Sequence, residues 1–499
     1  MGWLLSLAAA ATLVVAWWMP GSAECAALGW TSSALFVASM LSPERRMLRS
    51  FIAGLITYTG GFYWLYSTIS DFGGFPMAAA LPIFALFVVG STVQFLIWAF
   101  TWGRLPAFTT RLGLRTALAW LVAHHFWIKI FPWDFGHTQI GFVPLAQIAD
   151  IGGVTAVTFV MMWVSECFVA RREVSLFARL ASTVVLVASL GYGVSAEQRY
   201  KNPSGPRLKT AMVQGNVSLQ RKHDVSFFTV NQEQYLKTSA QVAEKDLLII
   251  WPESTITKFI PTSTTVAYHA LDRDTGEPLL PFLNNGSAFL VGGLTYRSRA
   301  EFFNSSILIR PDGSLDTPYN KMILMPFGEY TPFSSWLPWL EEINSTAAQF
   351  TAGAAPAVLS FPLSSGVQAK LSPLICYEDV VPQIAREATQ LGAELLVNQT
   401  NDAWFGRTVA PYQHHMIASW RAIENRRYLL RSTNTGVTAV VDPLGRTAAS
   451  LLPFTEGVLP LEVELLSEKS LYTSMPIYAL WLFVAALCVL LVILPRRAR

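Results

Sequence analysis

The feature that most constrains this chain is a series of apolar runs long enough to cross a lipid bilayer as helices. A transmembrane helix needs about 20 mostly apolar residues. The runs predict a polytopic α-helical membrane bundle of about eight transmembrane helices. They are Met1–Met19, Ala26–Ser42, Phe51–Tyr66, Ala78–Thr101, Thr116–Ile130, Ile151–Val169, Phe177–Ser195 and, near the C-terminus, Ser474–Ile493.

The composition agrees with a membrane protein. The chain has 499 residues, of which 52% are hydrophobic and 14% charged, whereas soluble domains carry about 25% charged residues. The 17 tryptophans suit membrane–water interfaces, where tryptophan is enriched. A net charge of +3 is too small to indicate a nucleic-acid partner.

Arginine residues between the runs predict the orientation of the helices. Loops rich in Lys and Arg stay on the cytoplasmic side. Loops with arginine alternate with loops that lack Lys and Arg, and the segment Pro495–Arg499 is also basic. Both termini are therefore predicted to be cytoplasmic, and the residues after the seventh run to be extracytoplasmic. The arginine-bearing loops are Pro43–Ser50, Gly103–Arg115 and Ala170–Arg179; the others are Pro20–Cys25, Ser67–Met77 and Phe131–Asp150.

The outer segment has the pattern of a globular α/β domain, because short apolar runs of strand length alternate with amphipathic stretches. The predicted organisation is helices in 1–196, a catalytic domain in 197–467, and a last helix with its tail in 468–499. Strands are predicted at Leu208–Gln214, Leu247–Trp251, Ala288–Gly292, Ser306–Ile309, Ala369–Cys376, Leu395–Asn398 and Val437–Val441. Helices are predicted at Phe228–Glu244, Val381–Gln390 and Gln413–Arg427.

The four cysteines give no sign of a metal site or a disulfide framework, since they form no CxxC pair or Cys/His cluster. Cys25, Cys167 and Cys488 lie in or beside apolar runs, and only Cys376 lies well inside polar, globular sequence. Cys376 is therefore the cysteine to consider for chemistry.

Three polar residues follow or lie beside predicted strands. Glu253 and Cys376 come at strand ends, and Lys321 lies in a polar segment between them. Ligands gather at the carboxyl ends of parallel strands. A carboxylate can take the proton of a thiol, and an ammonium can stabilise the oxyanion of a tetrahedral intermediate. Each residue also has a structural alternative: a buried small hydrophobe for Cys376, a turn for Glu253 and a solvated loop for Lys321.

The sequence around these residues resembles the nitrilase, or carbon–nitrogen hydrolase, superfamily. Together with the flanking apolar helices it is similar to the apolipoprotein N-acyltransferase family, and the resemblance covers nearly the whole chain. The segments that carry it are WPES (Trp251–Ser254), YNK (Tyr319–Lys321), ICYE (Ile375–Glu378), PFGEYTP (Pro326–Pro332), NQTNDAWFG (Asn398–Gly406), RSTNTG (Arg431–Gly436) and FPWDFG (Phe131–Gly136).

The resemblance implies a fold and a reaction. The fold is an α-β-β-α sandwich. The reaction moves a fatty acyl chain from a phospholipid, typically phosphatidylethanolamine, through a thioester on Cys376. The acceptor is the N-terminal α-amine of S-diacylglyceryl-cysteine in an apolipoprotein. Glu253 would be the general base and Lys321 would stabilise the oxyanion.

The resemblance also implies supporting residues and a setting. Glu329 would position Lys321 and the substrate, Tyr377 and Glu378 would shape the pocket, and Trp404 and Phe405 would line a lipid entrance. No cofactor or metal is expected, and a monomer is expected because the sequence shows no heptad seam. It would lie in the bacterial inner membrane, with its catalytic domain in the periplasm.

Two alternatives stay open at the level of sequence. A membrane-anchored amidase of the nitrilase type would share the Glu/Lys/Cys chemistry and transfer the acyl group to water, but it would hardly need eight helices. A transporter or sensor with an outer binding domain would not be an enzyme. Ionisable residues inside membrane spans would favour a transporter, and the predicted spans contain few; Glu166 is one.

Overall fold

The computed structural model describes residues 1–73, 75–201, 205–272, 276–281, 285–332, 334, 336, 339 and 348–493. The basic C-terminal segment Pro495–Arg499, on which part of the orientation prediction rests, lies outside the described residues. The chain divides into two structural units. The first comprises Met1–Asn202, Leu444–Arg446 and Ser470–Arg499; the second comprises Pro203–Pro443 and Thr447–Lys469.

The first unit is built from helices. They are α1 (Gly2–Trp18), α2 (Ala23–Leu41), α3 (Arg46–Gly61), α4 (Trp64–Ser67), α5 (Met77–Arg104), α6 (Ala107–Arg111), α7 (Arg115–Phe126), α8 (Val143–Ala146), α9 (Ala149–Val169), α10 (Leu176–Arg199), α15 (Leu471–Ser474) and α16 (Ile477–Ile493). A π-helical turn lies at Thr68–Phe72 and a 3₁₀ turn at Phe135–Gln139.

Four helices within the described residues are long and apolar enough to cross a membrane, judged by length and composition. They are α2, α5, α9 and α10, and α1 and α16 are apolar helices of 17 residues each. Each of the eight predicted runs contains a helix. However, α7 has only 12 residues, which at 1.5 Å each span about 18 Å, less than the roughly 30 Å of a bilayer core. A bundle of eight spanning helices therefore stays a prediction.

The surface of this unit carries large apolar side chains that point outward. Leu86 on α5, Phe168 on α9 and Phe177 on α10 are each more than 70% exposed. Soluble proteins rarely display such a surface, whereas helices that face lipid require it. The interior is packed with aromatic rings, among them Trp120 and Phe135, whose centroids are 4.9 Å apart.

The second unit contains two β-sheets. The first sheet has the strand order β13-β1-β2-β4-β5-β6, with β3 paired to β4. The second has the order β12-β11-β10-β9-β8-β7. The strands of the first sheet are β1 (Arg207–Gln214), β2 (Leu247–Ile250), β3 (Ile256–Pro261), β4 (Ala288–Ser298), β5 (Glu301–Ile309), β6 (Tyr319–Asn320) and β13 (Gly457–Glu464). Those of the second are β7 (Leu359–Pro362), β8 (Gln368–Ile375), β9 (Leu395–Thr400), β10 (Leu429–Thr433), β11 (Ala439–Val441) and β12 (Thr447–Ser450).

The central strands of both sheets are parallel. In the first sheet β1, β2 and β4 run in the same direction, and in the second β8, β9 and β10 do so. Side chains that come directly after neighbouring parallel strands share one edge of a sheet. Ile375 pairs with Gln399 in register, so the segments that follow β8 and β9 lie side by side.

Helices cover the outer faces of the sheets. They are α11 (Leu219–His223), α12 (Phe228–Ala240), α13 (Pro382–Gln390) and α14 (Ala410–Asn425), with 3₁₀ turns at Val225–Phe227, Ala267–His269, Cys376–Val380 and Asp402–Phe405.

The hydrophobic core of this unit has three layers. Leu248 and Leu290 of the first sheet pack with Leu371 and Val397 of the second, between the two sheets. Alternate residues of the same strands pack outward against α12 on one side and against α13 and α14 on the other. This arrangement is an α-β-β-α sandwich and confirms the predicted fold of the domain. Because β2 is buried along its whole length, it reads as a continuous apolar run.

Candidate active site

Glu253 lies just past the end of β2 and is buried. Its Oε1 accepts hydrogen bonds from Asn304 Nδ2 (2.8 Å) and Lys321 Nζ (3.2 Å), and its Oε2 accepts one from the main-chain N–H of Asn401 (3.1 Å). Asn401 follows β9 of the second sheet. The carboxylate therefore lies where the two sheets meet, held by donors from both.

Lys321 directly follows the short strand β6 and is only 1% exposed. Its Nζ forms ion pairs with Glu253 Oε1 (3.2 Å) and Glu329 Oε2 (2.7 Å). A buried ammonium requires paired carboxylates, and here it has two. Glu253, Lys321 and Glu329 are called the catalytic cluster below.

Asn304 on β5 joins the two acidic members of the catalytic cluster. Its amide Nδ2 donates to Glu253 Oε1 (2.8 Å) and to Glu329 Oε1 (2.9 Å). The main-chain N–H of Lys321 donates to the carbonyl oxygen of Asn304 (2.9 Å). Asn304 thus fixes the positions of all three charged groups through both its side chain and its main chain.

Charge in this cluster shifts the pKa values of its members. Burial by itself raises the pKa of Glu253, but the positive charges of Lys321 and Lys222 outweigh burial and hold this pKa below its ordinary value. Burial lowers the pKa of Lys321, but Glu329 and Glu253 raise it well above the ordinary range. At neutral pH Glu253 is therefore a carboxylate and Lys321 an ammonium.

Cys376 begins the 3₁₀ turn Cys376–Val380 that follows β8, and it is partly buried. Its φ of +52° lies in the left-handed region, which costs a residue with a side chain roughly 1–2 kcal/mol. Ser254, directly after Glu253, has a φ of +47°. Both turns that carry these reactive side chains thus hold a strained backbone, a feature that clusters at functional sites.

The Cys376 thiol is protonated in the resting protein. Burial raises its pKa, the negative charge of Glu253 raises it further, and the opposing effects of Lys321 and of a hydrogen bond with Thr400 do not compensate. The thiolate is the nucleophilic form of cysteine. Attack by this sulfur would therefore require a general base, and Glu253 is the carboxylate whose charge acts most strongly on the thiol.

Glu378 is fully buried two residues after Cys376. Its Oε2 accepts from Tyr319 Oη (2.8 Å) and from the Ile375 N–H (2.7 Å), while its Oε1 accepts from the Met322 N–H (2.6 Å). Burial raises the pKa of Glu378 to about 7. Glu378 thus ties the turn of the nucleophile to the segment around Lys321.

Tyr377, Trp404 and Phe405 are each partly buried and lie in the turns that follow the neighbouring strands β8 and β9. Tyr377 follows Cys376 in its turn, and burial raises the pKa of its hydroxyl. Trp404 and Phe405 belong to the 3₁₀ turn Asp402–Phe405 after β9, called the aromatic turn below. Because β8 and β9 are neighbours, this turn is adjacent to that of Cys376.

Lys222 on α11 is a second cation near the site that the sequence did not reveal. Its Nζ donates to the main-chain oxygen of Glu253 (2.8 Å). Burial lowers the pKa of Lys222 to about 8, although the negative charges of Glu253 and Cys376 act in the opposite direction. In the sequence it is one of two adjacent cations, Arg221 and Lys222, in a polar segment, which is also the pattern of a solvated loop.

Family models match both parts of the chain. A model described as carbon-nitrogen hydrolase matches residues 209–470, and one described as apolipoprotein N-acyltransferase N-terminal domain matches residues 2–167. The matched regions contain the sandwich and most of the N-terminal helices.

Curated relatives match along most of their length. A protein named apolipoprotein N-acyltransferase from Geobacter metallireducens is 30% identical over 488 residues, covering 94% of this chain and 91% of the relative. Proteins of the same name from Pseudomonas syringae pv. tomato (29% identical) and Vibrio vulnificus (31%) each cover 87% of this chain and 85% of the relative.

Solved structures match just over half of the chain at lower identity. An amidase of the nitrilase superfamily from Nesterenkonia covers 56% of this chain and 98% of its own, with 21% identity and a TM-score of 0.39. Saccharomyces cerevisiae Nit3, a member of branch 10 of the nitrilase superfamily, covers 52% of this chain and 90% of its own, with 18% identity and a TM-score of 0.36.

Proposed function

This chain belongs to the apolipoprotein N-acyltransferase family, and we propose that it N-acylates bacterial lipoproteins at the site around Cys376. The observation that carries the assignment to this site is the buried catalytic cluster beside the thiol. It supplies an ionised base and a cation next to the one cysteine that lies outside the helical unit. The acyl donor is a membrane phospholipid, and the acceptor is the α-amine of S-diacylglyceryl-cysteine.

In the first half-reaction Cys376 attacks the ester carbonyl of the phospholipid. Glu253 takes the thiol proton as the C–S bond forms. The oxyanion of the tetrahedral intermediate is stabilised by Lys321, a contribution typically worth roughly 3–4 kcal/mol. Collapse breaks the ester C–O bond, and Glu253 returns the proton to the leaving alcohol. The products are a lysophospholipid and a thioester on Cys376.

In the second half-reaction the lipoprotein's α-amine attacks the thioester. An α-amine has a pKa of about 7.7–8.0, so a substantial fraction is neutral near pH 7. Glu253 takes a proton from the attacking nitrogen, Lys321 again stabilises the oxyanion, and the C–S bond breaks. The proton then passes from Glu253 to the sulfur, which restores the Cys376 thiol.

The remaining residues support these steps. Glu329 holds Lys321 in place through its 2.7 Å ion pair, and Glu378 fixes the turn of the nucleophile. Tyr377 shapes the pocket beside Cys376. Trp404 and Phe405 form an apolar wall along which the acyl chain lies, consistent with their position after the neighbouring strand.

The substrates explain why the enzyme lies in a membrane. Extracting an acyl chain into water costs roughly 0.8 kcal/mol per CH₂, and a membrane-embedded enzyme avoids most of this cost. We propose phosphatidylethanolamine as the donor and a monomer as the working form.

The proposed topology has eight spans in the inner membrane, with both termini cytoplasmic and the catalytic domain (197–467) in the periplasm. The alternation of arginine-bearing and arginine-free loops supports it, because every apolar run must then cross the bilayer. A reporter fused after Arg199 should therefore show periplasmic activity, and one fused after Arg172 cytoplasmic activity.

The direct test is product analysis with the purified full-length protein, phosphatidylethanolamine and a diacylated lipopeptide. We expect the lipopeptide to gain one acyl chain on its α-amine and lysophospholipid to appear in equal amount. The Cys376→Ala variant is the matched control and should form neither product. Hydrolysis of small soluble amides without lipopeptide acylation would overturn the proposal in favour of an amidase.

A further inference from the structure

A second cluster of buried charges includes Asp379, which lies in the same turn as Cys376. His414 on α14 places Nδ1 at 2.9 Å from Asp402 Oδ1 and Nε2 at 2.8 Å from Asp379 Oδ1. Arg431 on β10, which is fully buried, places Nη2 at 3.5 Å from Asp379 Oδ2 and at 4.0 Å from Asp402 Oδ2. These four residues are called the clamp below.

The geometry of the clamp requires a charged imidazole. A neutral histidine carries one N–H and one lone pair, so it can donate to only one carboxylate. Here both ring nitrogens lie at hydrogen-bond distance from carboxylate oxygens. With His414 protonated, the clamp has two positive and two negative formal charges, the balance that burial demands. Burial lowers the pKa of His414, but Asp379 and Asp402 outweigh burial and raise it to about 9.

The clamp connects the turn that contains Cys376 with the aromatic turn. Asp379 lies three residues after Cys376 in the 3₁₀ turn of the nucleophile, and Asp402 begins the aromatic turn. The ring of Phe405 also meets His414 edge-on, with centroids 6.2 Å apart and an interplanar angle of 90°. His414 therefore holds the aromatic turn both at its first residue and at its last.

The two turns do not depend on His414 equally. The turn of the nucleophile has its own brace, because Glu378 accepts hydrogen bonds from Tyr319 and from the main-chain N–H groups of Ile375 and Met322. In the aromatic turn, Asp402 Oδ1 accepts the 2.9 Å bond from His414 and a longer bond of 3.4 Å from Thr400, while its Oδ2 lies 4.0 Å from Arg431 Nη2. Loss of His414 should therefore displace the aromatic turn more than the nucleophile.

We infer that His414 is a positioning residue that fixes the aromatic turn beside Cys376 and thereby sets the preference for a long acyl chain. The inference rests on the proposed function, in which Trp404 and Phe405 line the path of that chain. His414 touches neither the thiol nor the catalytic cluster in this account. Its effect appears only for substrates long enough to reach the aromatic turn.

The test compares two donors in the full-length enzyme and in His414→Gln. The rate of thioester formation on Cys376 is measured with dipalmitoyl and with dihexanoyl phosphatidylethanolamine in mixed micelles. Misplacement of a positioning group by about 1 Å can cost about 100-fold in rate. A smaller displacement of the aromatic turn should cost less, so we expect the ratio of long-chain to short-chain kcat/KM to fall about tenfold or more in the variant.

Two controls separate positioning from a general loss of structure. Glu424→Gln removes one partner of a buried ion pair on the same helix, Arg421–Glu424 at 2.9 Å, and should leave the chain-length ratio unchanged. Alkylation of Cys376 by iodoacetamide, followed on the Cys376 peptide, should change less than about threefold in His414→Gln, because Glu378 keeps the nucleophile in place.

Each result of these experiments either supports the role of His414 or overturns it. An unchanged ratio in an active His414→Gln variant overturns it, as does an equal fall of the ratio in Glu424→Gln. Should His414→Gln fail to fold, Asp402→Asn must lower the ratio instead, because it weakens the same bond while keeping the side chain's size. A wild-type enzyme that forms no thioester with either donor overturns the proposed function itself, and this result is distinct from an active enzyme whose ratio does not respond.

Discussion

The two buried charge clusters near the Cys376 turn are built from similar side chains but differ in net charge and in what they contact. The catalytic cluster has a formal charge of −1 and acts electrostatically on the thiol. The clamp has a formal charge of zero when His414 is protonated and bridges two turns of the backbone. In the proposed mechanism the catalytic cluster exchanges a proton with the thiol. The positive and negative charges of the clamp balance one another.

Burial of charge by itself therefore does not identify a catalytic group. In the clamp each charge faces an opposite charge, so loss of the His414 proton to a group outside the clamp would leave a net buried negative charge. In the catalytic cluster a proton moving from sulfur to Glu253 leaves a thiolate beside Lys321, and the net charge stays the same. Changes in the two clusters should therefore have distinct signatures.

The largest effect is expected from Glu253→Gln, which removes the base and keeps the shape of the side chain. General-base catalysis contributes about 10²–10⁴-fold, so single-turnover thioester formation should slow by that factor. Rapid-quench mass spectrometry of the Cys376 peptide measures the rate. The same substitution at Glu424 is the control, and a loss of less than tenfold in Glu253→Gln would argue against its role as the base.

Lys321→Met should come next, with a loss of about 10²–10³-fold from the missing oxyanion stabilisation. Lys321 holds the pKa of Glu253 below its ordinary value, so its removal raises that pKa. The base must be ionised to act, and the acid limb of the pH–rate profile should therefore move to higher pH. An acid limb that does not move would contradict the coupling between these two residues.

Lys222→Met should have a smaller effect, because Lys222 holds the main chain of Glu253 and contributes charge from a distance. The pKa of Lys222 is lowered to about 8, so wild-type activity should decline as pH rises through this value. In Lys222→Met the rate should be lower at pH 7 by about tenfold, as for loss of one charged hydrogen bond, and this alkaline decline should disappear. A decline that persists in the variant would assign it to another group.

Titration of His414 in the clamp should have the smallest effect on the reaction rate. It should instead change the stability of the folded protein. The pKa of His414 is about 9 in the folded protein and about 6.5 when unfolded. Its stabilisation, about 3 kcal/mol by linkage, is fully present below pH 6.5 and is lost as pH rises through 9. The melting temperature of the wild type should therefore fall between pH 7 and 10 by more than that of His414→Gln. Parallel curves would contradict a charged clamp.

The fold of the second unit was predictable where strands are buried on both faces. Leu247–Ile250 is a continuous apolar run and Leu395–Thr400 begins with one, and the predicted ends of both strands lie within two residues of the observed ends. The edge strand Gly457–Glu464 was missed, because it alternates apolar and polar residues and contains Pro460. The strand Leu429–Thr433 was missed because Arg431, which is buried in the clamp, interrupts its apolar pattern.

In the candidate site, only the residues that the neighbouring sequence distinguishes were predictable. Cys376 stood out as the cysteine away from the apolar runs, and Glu253 ended a predicted strand. Asn304 and His414 did not stand out, since one is a polar residue within a strand and the other a polar residue on an amphipathic helix. Their roles arise from partners distant in sequence: His414 bonds to Asp379, 35 residues away, and Asn304 to Glu253, 51 residues away.

The thioester on Cys376 is tested most directly by measuring the intact mass of the enzyme during turnover. Mixed with phosphatidylethanolamine alone, the wild type should gain one acyl group, which peptide mapping places on Cys376. Addition of the diacylated lipopeptide should transfer this acyl group to the peptide. The His414→Gln variant should form the thioester with short-chain donors at nearly the wild-type rate. An acyl group on any other residue, or lipopeptide acylation without a charged Cys376, would contradict the account.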